Sequence, residues 1–166
     1  MNSSSKPLLL IVGLSALALL GGGLYLQIVE KMLPCPLCVL QRYAFALVAV
    51  FCLLGVVMRR GAHGFFSACA LLSAIAGAAV AGWHMWIKAN PTVACGIDPL
   101  ETSLNTIFPA KLFPLMFKAD GLCTMEYAPI WRLSIPQWSL LWFLIFAVTL
   151  TFVFLQRKQS RAYRDA

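Results

Sequence analysis

Four long apolar stretches dominate this chain and restrict what it can fold into. They cover residues 7–28, 39–58, 65–87 and 135–155, and each approaches the roughly 20 residues that a helix needs to cross the hydrocarbon core of a bilayer. Of the 166 residues, 61% are hydrophobic and 11% are charged, whereas about 25% are charged in an average soluble domain. No stretch alternates like a strand of a membrane barrel. The sequence therefore predicts an all-α membrane protein with a bundle of four transmembrane helices.

Little chain remains outside these stretches, so we expect one integral membrane domain over residues 1–166 and no separate soluble module. The loops at about 29–38 and 88–134 would then lie on one side of the bilayer. The first stretch could be mistaken for a secretory signal, because Lys6 precedes it and small residues follow. Its apolar run is longer than the usual 7 to 15 residues of a signal core. We interpret it as a retained first span.

The formal charge of +7 is distributed as in a membrane protein rather than as in a nucleic-acid-binding protein. Dense positive charge occurs on one side of a four-span chain: Lys6, Arg59, Arg60, Arg157, Lys158, Arg161 and Arg164. The positive residues of the other side are diluted by acidic residues over a long loop. The positive-inside rule then predicts cytoplasmic termini and outward-facing loops in a cytoplasmic membrane. We expect the lipid bilayer, and no nucleic acid, as a partner.

Two cysteines, Cys35 and Cys38, lie where the first outer loop meets the second span, in the run LPCPLC at 33–38. Proline is favoured at the first helical position, so a helix beginning at Pro36 would have Cys35 near its N-cap and Cys38 in its first turn. The N–H groups and dipole of a helix N-terminus stabilise a nearby thiolate. The pair is therefore a candidate redox-active dithiol at the bilayer surface.

Cys95 and Cys123 lie in the second outer loop, which is too long for a bare connector and is therefore expected to be functional. Between them, residues 107–118 are apolar and aromatic and contain two prolines. This segment is too short to span, so we expect it at the membrane surface with Lys111 and Lys118 reaching to water or phosphate. A bond between Cys95 and Cys123 would close the loop over the membrane.

These four cysteines could have structural roles instead of redox roles. Structural zinc sites normally use two close-spaced pairs, whereas Cys95 and Cys123 are single and far apart, so we expect no metal site. Disulfide staples are common outside the cytosol. A bridge between Cys35 and Cys38 closes too small a ring to contribute much stability, so a staple explains the loop cysteines better than the close pair. Cys52 and Cys69, within the spans, are expected to behave as small apolar residues.

Two polar residues occur in the spans at similar shallow depths. Arg42 follows Cys38 by four residues, hence on the same helical face, and His84 is near the outer end of the third span. Arg42 could simply snorkel to headgroups, and His84 could belong to an interfacial aromatic belt with Trp83 and Trp86. Together below a dithiol, they could instead donate hydrogen bonds to the carbonyl oxygens of a quinone, where a guanidinium would stabilise developing negative charge.

The combination of these features resembles the DsbB family of inner-membrane disulfide-forming proteins. The run Cys-x-x-Cys-x-x-x-Arg at 35–42, the two later loop cysteines, the His84 position and the IPQW run at 135–138 carry the resemblance over nearly the whole chain. It implies a thiol:quinone oxidoreductase in the bacterial inner membrane, with its redox loops in the periplasm. The partner would be a periplasmic DsbA-like thiol oxidase, and the cofactor would be ubiquinone or menaquinone from the membrane pool.

The resemblance also implies roles for the four outer cysteines. Cys95 would be attacked by the partner's thiolate, and Cys123 would be its bridge partner. Cys35 and Cys38 would reoxidise that pair and reduce the quinone, with Cys38 next to the ring; Arg42 and His84 would bind the quinone.

Three other functions are compatible with parts of the sequence. A thiol-reducing conduit could use Cys52 and Cys69, but their positions are near the cytoplasmic ends of the spans. A quinone reductase of the vitamin K epoxide reductase type also combines four cysteines with helices, although its Cys-x-x-Cys belongs to a late helix. A non-catalytic four-span scaffold would show no cysteine redox cycling.

Overall fold

The computed structural model describes residues 5–58, 62–90, 97–121, 123, 127 and 129–165, with the backbone alone at residues 5, 97–99 and 157–165. Helices account for most of this part of the chain: α1 (Ser5–Val29), α2 (Pro36–Val57), α3 (His63–Ala89), α4 (Ile97–Thr106), α5 (Phe108–Leu112), α6 (Pro114–Phe117) and α7 (Ile135–Asp165). Within the described ranges, β-type pairing is limited to an isolated bridge between Ile130 and Leu133.

Helices α1, α2, α3 and α7 contain segments long and apolar enough to cross a membrane: Lys6–Val29, Pro36–Val57, His63–Ala89 and Ile135–Gln156. The predicted all-α fold with four spans is confirmed. Helices α1 and α3 extend one or two residues beyond the apolar stretches at each end, and α7 continues well past residue 155 to Asp165. Helix α2 begins at Pro36 rather than at residue 39, because proline occupies its first position.

The four long helices form a bundle in which α2 packs between α1 and α3, and α3 also packs against α7. One face of α3 carries small buried side chains at helical spacing, namely Ser67, Ala70, Ser73, Ala74, Gly77 and Ala81. Because apolar burial does not drive association within lipid, small residues favour packing by letting backbones approach closely. This stripe ends at His84, which is also buried.

The stripe on α3 leaves room for aromatic residues from the neighbouring helices. The Phe143 ring of α7 stacks on Phe45 of α2 with ring centroids 4.0 Å apart, and a Cβ atom at Gly77 would overlap the Phe143 ring. Cys52 is fully buried in the same core cluster, as a small apolar side chain would be.

The predicted surface segment of the long loop contains two short helices, α5 and α6, and is preceded by α4, which the sequence did not reveal. Ala110 and Phe117 are buried in a cluster with Val39 of α2. Several apolar side chains point outward and are about half or more exposed: Ile107, Phe108, Leu112, Phe113 and Leu115. The segment therefore packs on the bundle through one face and presents an apolar face outward.

Candidate functional site

The dithiol forms the beginning of α2. Cys35 is the N-cap residue, and its Sγ accepts a hydrogen bond from the Cys38 backbone N–H at 3.3 Å, the role that a Ser or Asp oxygen usually has. Pro36 occupies the first turn, where its missing N–H costs nothing. The predicted positions of both cysteines at the helix start are therefore confirmed.

The two sulfur atoms are in direct contact. The Cys35 thiol donates to the Cys38 Sγ at 2.9 Å. This hydrogen bond, together with burial, raises the pKa of the Cys35 thiol, because ionising it would remove the donated proton and place charge in an apolar site. Within the pair, Cys35 is therefore the hydrogen-bond donor and Cys38 Sγ is the acceptor.

His84 lies directly beneath the dithiol. It is 3% exposed, its Nε2 is 3.8 Å from Cys35 Sγ, and its Nδ1 is 3.3 Å from the amide Nε2 of Gln41. An amide nitrogen can only donate, so Nδ1 accepts and Nε2 carries the proton. That proton points to the Cys123 carbonyl oxygen, 3.4 Å away. The neighbours Trp83 and Trp86 are half-exposed, whereas His84 is buried. His84 therefore faces the bundle interior, and the two tryptophans face outward.

Arg42 lies one turn deeper than Cys38 and connects three segments. Its Nη1 donates to the Gln27 Oε1 at 2.6 Å and to the Met116 carbonyl at 3.0 Å, while Nη2 donates to the Gly23 carbonyl at 3.0 Å. A guanidinium has five N–H donors. The Nε–H and one Nη2 hydrogen have no hydrogen-bond partner among the described residues, and they remain available to a ligand.

The loop after α6 brings Cys123 to this site. The backbone N–H groups of Asp120 and Gly121 both donate to the Pro34 carbonyl at 3.1 Å. A Cβ atom at Gly121 would overlap the Leu33 carbonyl oxygen, so this close contact requires glycine. Cys123 is disulfide-bonded and packs with Cys35 in a small buried cluster.

A single cavity of about 430 Å³ unites these groups. Its walls come from α1, α2, α3 and α7 and from both outer loops, and most of its lining is apolar. Its lining includes Cys35, Cys38, Gln41, Arg42, His84 and Cys123. This volume is within the range of about 300 to 1,000 Å³ typical of small-molecule sites.

Five of the six residues predicted from the sequence are thus brought together around one cavity: Cys35, Cys38, Arg42, His84 and Cys123. The sixth, Cys95, lies outside the described residues, as do Arg59 and Arg60, on which the predicted orientation mainly depends. The pairing of Cys95 with Cys123 therefore stays a prediction.

Sequence reasoning missed two residues of the site. Gln41 is buried beside His84. It could have been found because a polar residue inside an apolar span is a candidate functional residue. Gly121 allows the loop to approach Leu33 closely. A single sequence does not distinguish such a glycine from any other glycine in a loop.

Comparison with known proteins places the chain in a family. The sequence profile described as "Disulfide bond formation protein DsbB" matches residues 5–153. The chain belongs to the DsbB family. It is 57% identical over 155 residues to "Disulfide bond formation protein B" of Herminiimonas arsenicoxydans, covering 93% of this chain and 98% of the relative. It is 40% identical over 159 residues to the protein of that name from Cupriavidus metallidurans, covering 96% and 98%.

A third DsbB relative, "Disulfide bond formation protein B 1" of Pseudomonas putida, is 45% identical over 157 residues, covering 93% of this chain and 94% of its own length. Membership in the DsbB family and the four long apolar helices identify the chain as a multi-pass membrane protein of disulfide bond formation. Its cysteine-lined cavity is the candidate site of that redox chemistry.

Proposed function

We propose that the protein reoxidises a periplasmic DsbA-like thiol oxidase and passes the electrons from the Cys95/Cys123 pair through Cys35 and Cys38 to a membrane quinone. One observation carries the proposal: Cys123 of the loop and the Cys35–Cys38 dithiol line the same apolar cavity, which also contains the Arg42 guanidinium. A site of this kind couples thiol–disulfide exchange at the membrane surface to an electron acceptor that is dissolved in the bilayer.

Exchange between the two cysteine pairs is supported by the presence of Cys123 and Cys35 in one small buried cluster. A partner thiolate attacks Cys95, the Cys95–Cys123 bond breaks, and Cys123 leaves as a thiolate. Cys123 then attacks the Cys35–Cys38 disulfide at Cys35, and Cys38 leaves as the thiolate. The second thiolate of the partner attacks the mixed disulfide, forms the partner's own disulfide and releases Cys95 as a thiolate. Attack by Cys95 on the sulfur of Cys123 then restores the loop disulfide and releases Cys35 as a thiolate. One dithiol has been oxidised and one disulfide reduced, so atoms and electrons balance.

The residues around the cavity fit a quinone. The two unoccupied N–H donors of Arg42 are suited to a carbonyl oxygen that gains negative charge, and the apolar walls suit a ring with a lipid tail. A bound quinone supplies an acceptor for two electrons and two protons. Arg42 orients it and stabilises charge, His84 positions Cys35, and the first turn of α2 holds Cys38 at the cavity wall.

A strong electron acceptor is required on energetic grounds. A DsbA-type oxidant has a reduction potential of about −120 mV, and each 30 mV against a two-electron transfer costs roughly 1.4 kcal/mol. Most thiol pairs could not reoxidise such a partner. A membrane quinone supplies the driving force without a soluble cofactor, which agrees with a site built between transmembrane helices.

The charge distribution supports one orientation in the membrane. We propose cytoplasmic termini and a periplasmic position for both cysteine-bearing loops, because positive residues are concentrated at the termini and at Arg59 and Arg60. The partner then meets Cys95 on the oxidising side of the membrane.

Anaerobic stopped-flow kinetics tests the function. The purified chain in lipid nanodiscs is mixed with a reduced DsbA-like protein, with and without ubiquinone, and quinol absorbance and partner thiols are followed together. We expect one quinol for each partner disulfide, and loss of quinol formation in Cys38→Ser. Cys69→Ala is the matched control, since this cysteine lies away from the cavity. Partner oxidation that continues over many turnovers without quinone would overturn the proposal.

A further inference from the structure

The dithiol and His84 together present three metal-ligating atoms from two helices. The Sγ atoms of Cys35 and Cys38 and a ring nitrogen of His84 all lie within 4.8 Å of one another. Zinc–sulfur bonds of about 2.3 Å and zinc–nitrogen bonds of about 2.0 Å put the donors of a tetrahedral site roughly 3.5 to 3.8 Å apart. The distance from Cys35 Sγ to His84 Nε2, 3.8 Å, already meets this requirement.

A small side-chain adjustment completes the geometry. The sulfur atoms, 2.9 Å apart, would separate by about 0.9 Å to reach the tetrahedral spacing. They border the cavity of about 430 Å³, which gives room for this movement and a path for an ion. This cluster differs from a four-cysteine zinc site, because its third ligand comes from α3 rather than from the loop.

We propose that the reduced Cys35–Cys38 dithiol and His84 form a site for a thiophilic metal ion of the Zn²⁺ type, with its fourth position open to the cavity. Thiolate and imidazole ligands select such ions over Mg²⁺ or Ca²⁺. Binding replaces the two thiol protons with one divalent ion, so the complex of two thiolates and a neutral imidazole carries no net charge. A neutral complex suits a buried site, where unpaired charge is costly.

Gln41 can support the histidine in either of its roles. Without metal, its amide nitrogen donates to Nδ1 of His84. When Nε2 binds an ion, the proton moves to Nδ1, and rotation of the buried Gln41 amide presents its Oε1 as the acceptor. Metal-binding histidines almost always donate their second N–H to such a group, and loss of that group costs about 10- to 100-fold in affinity.

The site exists only in the reduced protein, because a Cys35–Cys38 disulfide has no thiolate to offer. A bound ion would hold the dithiol reduced and occupy the cavity. Metal binding itself requires neither quinone nor thiol partner, so its failure would leave the proposed function untouched, and failure of quinone reduction would leave the metal site untouched.

Cobalt titration provides the direct test. The full-length chain in nanodiscs is reduced, desalted anaerobically and titrated with Co²⁺, whose absorption reports tetrahedral thiolate coordination, and Zn²⁺ is then added as a competitor. We expect one Co²⁺ per reduced chain, displacement by Zn²⁺, and no such spectrum for the oxidised chain. The same result is expected in a Cys95→Ser/Cys123→Ser variant, which excludes the loop sulfurs as ligands.

Variants at Gln41 and His84 distinguish metal binding at this site from nonspecific metal binding by thiols. His84→Ala and Gln41→Leu should each weaken Co²⁺ binding at least about tenfold, whereas Gln41→Glu should retain it because a carboxylate accepts the same Nδ1–H. Cys52→Ala/Cys69→Ala is the matched control and should bind normally. Co²⁺ affinity that is unchanged in His84→Ala, or a spectrum that requires Cys95 and Cys123, would overturn the proposal. Gln41→Glu guards against misfolding as the cause of lost binding.

Discussion

The contact between Gly121 and Leu33 makes a sharp prediction about the exchange of disulfides. In Gly121→Ala, the new methyl group would overlap the Leu33 carbonyl oxygen and lie 3.2 Å from the Cys35 backbone nitrogen. Backbone atoms cannot rotate away, so the loop must move. Movement breaks the two hydrogen bonds that Asp120 and Gly121 donate to the Pro34 carbonyl.

Each buried hydrogen bond contributes about 1 kcal/mol, so the docked loop should lose about 2 kcal/mol. At about 1.36 kcal/mol for each tenfold change in rate, transfer between Cys123 and Cys35 should slow roughly thirtyfold. The attack of the partner on Cys95 does not depend on this contact and should keep its rate.

Acid quenching followed by alkylation with a mass-tagged maleimide measures both steps. The oxidised chain is mixed with a reduced DsbA-like partner without quinone, and new thiols are assigned by mass spectrometry as a function of time. Gly21→Ala is the matched control, because a Cβ atom at that position meets nothing within 4 Å. If the thiol at Cys38 forms at the wild-type rate in Gly121→Ala, the loop contact does not govern the exchange.

Three further predictions concern the cavity, the bundle and the topology. Arg42→Gln removes a charged donor whose hydrogen bond is worth roughly 1.5 to 3 kcal/mol. The apparent quinone affinity, measured by steady-state kinetics, should therefore fall by about one to two orders of magnitude. Unchanged quinone dependence together with impaired partner exchange would refute the role of Arg42. Gly77→Ala forces a methyl group into the Phe143 ring, and this overpacking should lower the free energy of unfolding by about 1 to 3 kcal/mol. Unfolding in mixed micelles measures this loss. Gly82→Ala is the control and should not lower the free energy of unfolding, because a Cβ atom at that position meets nothing within 4 Å. Single-cysteine chains that retain Cys95 should react with an impermeant maleimide from the periplasmic side, and labelling only after the cytoplasmic side is opened would reverse the proposed orientation.

The helical architecture was predictable because membrane length and apolar composition are properties of contiguous sequence. The same holds for Cys35 and Cys38, whose position at a helix start follows from Pro36 alone. Contiguous sequence does not reveal which face of α3 is turned toward α2. The proximity of His84 to Cys35 therefore needed the structure, although its shallow depth was predictable.

Other parts of the site depend on tertiary contacts that leave no local pattern. Arg42 was expected to face a ligand, but its bonds to Gly23, Gln27 and Met116 also join α1 and the surface segment to α2. Gln41 was visible only as a polar residue in a span. Helix α4 went unnoticed because its apolar residues are few, and the cluster around Leu104 forms only when α4 packs against α2, α5 and α6.

The cap of α2 gives the dithiol an unusual dependence on its helix. In the reduced protein, the Cys35 sulfur satisfies the Cys38 N–H, a type of interaction worth about 1 kcal/mol when it closes a helix start. If this sulfur accepts the hydrogen bond more strongly as a thiol than as part of a disulfide, the cap stabilises the reduced pair, and a preference of about 1 kcal/mol raises a two-electron potential by about 20 mV. In the proposed function, the beginning of a transmembrane helix would then tune how readily this pair accepts electrons from the loop cysteines.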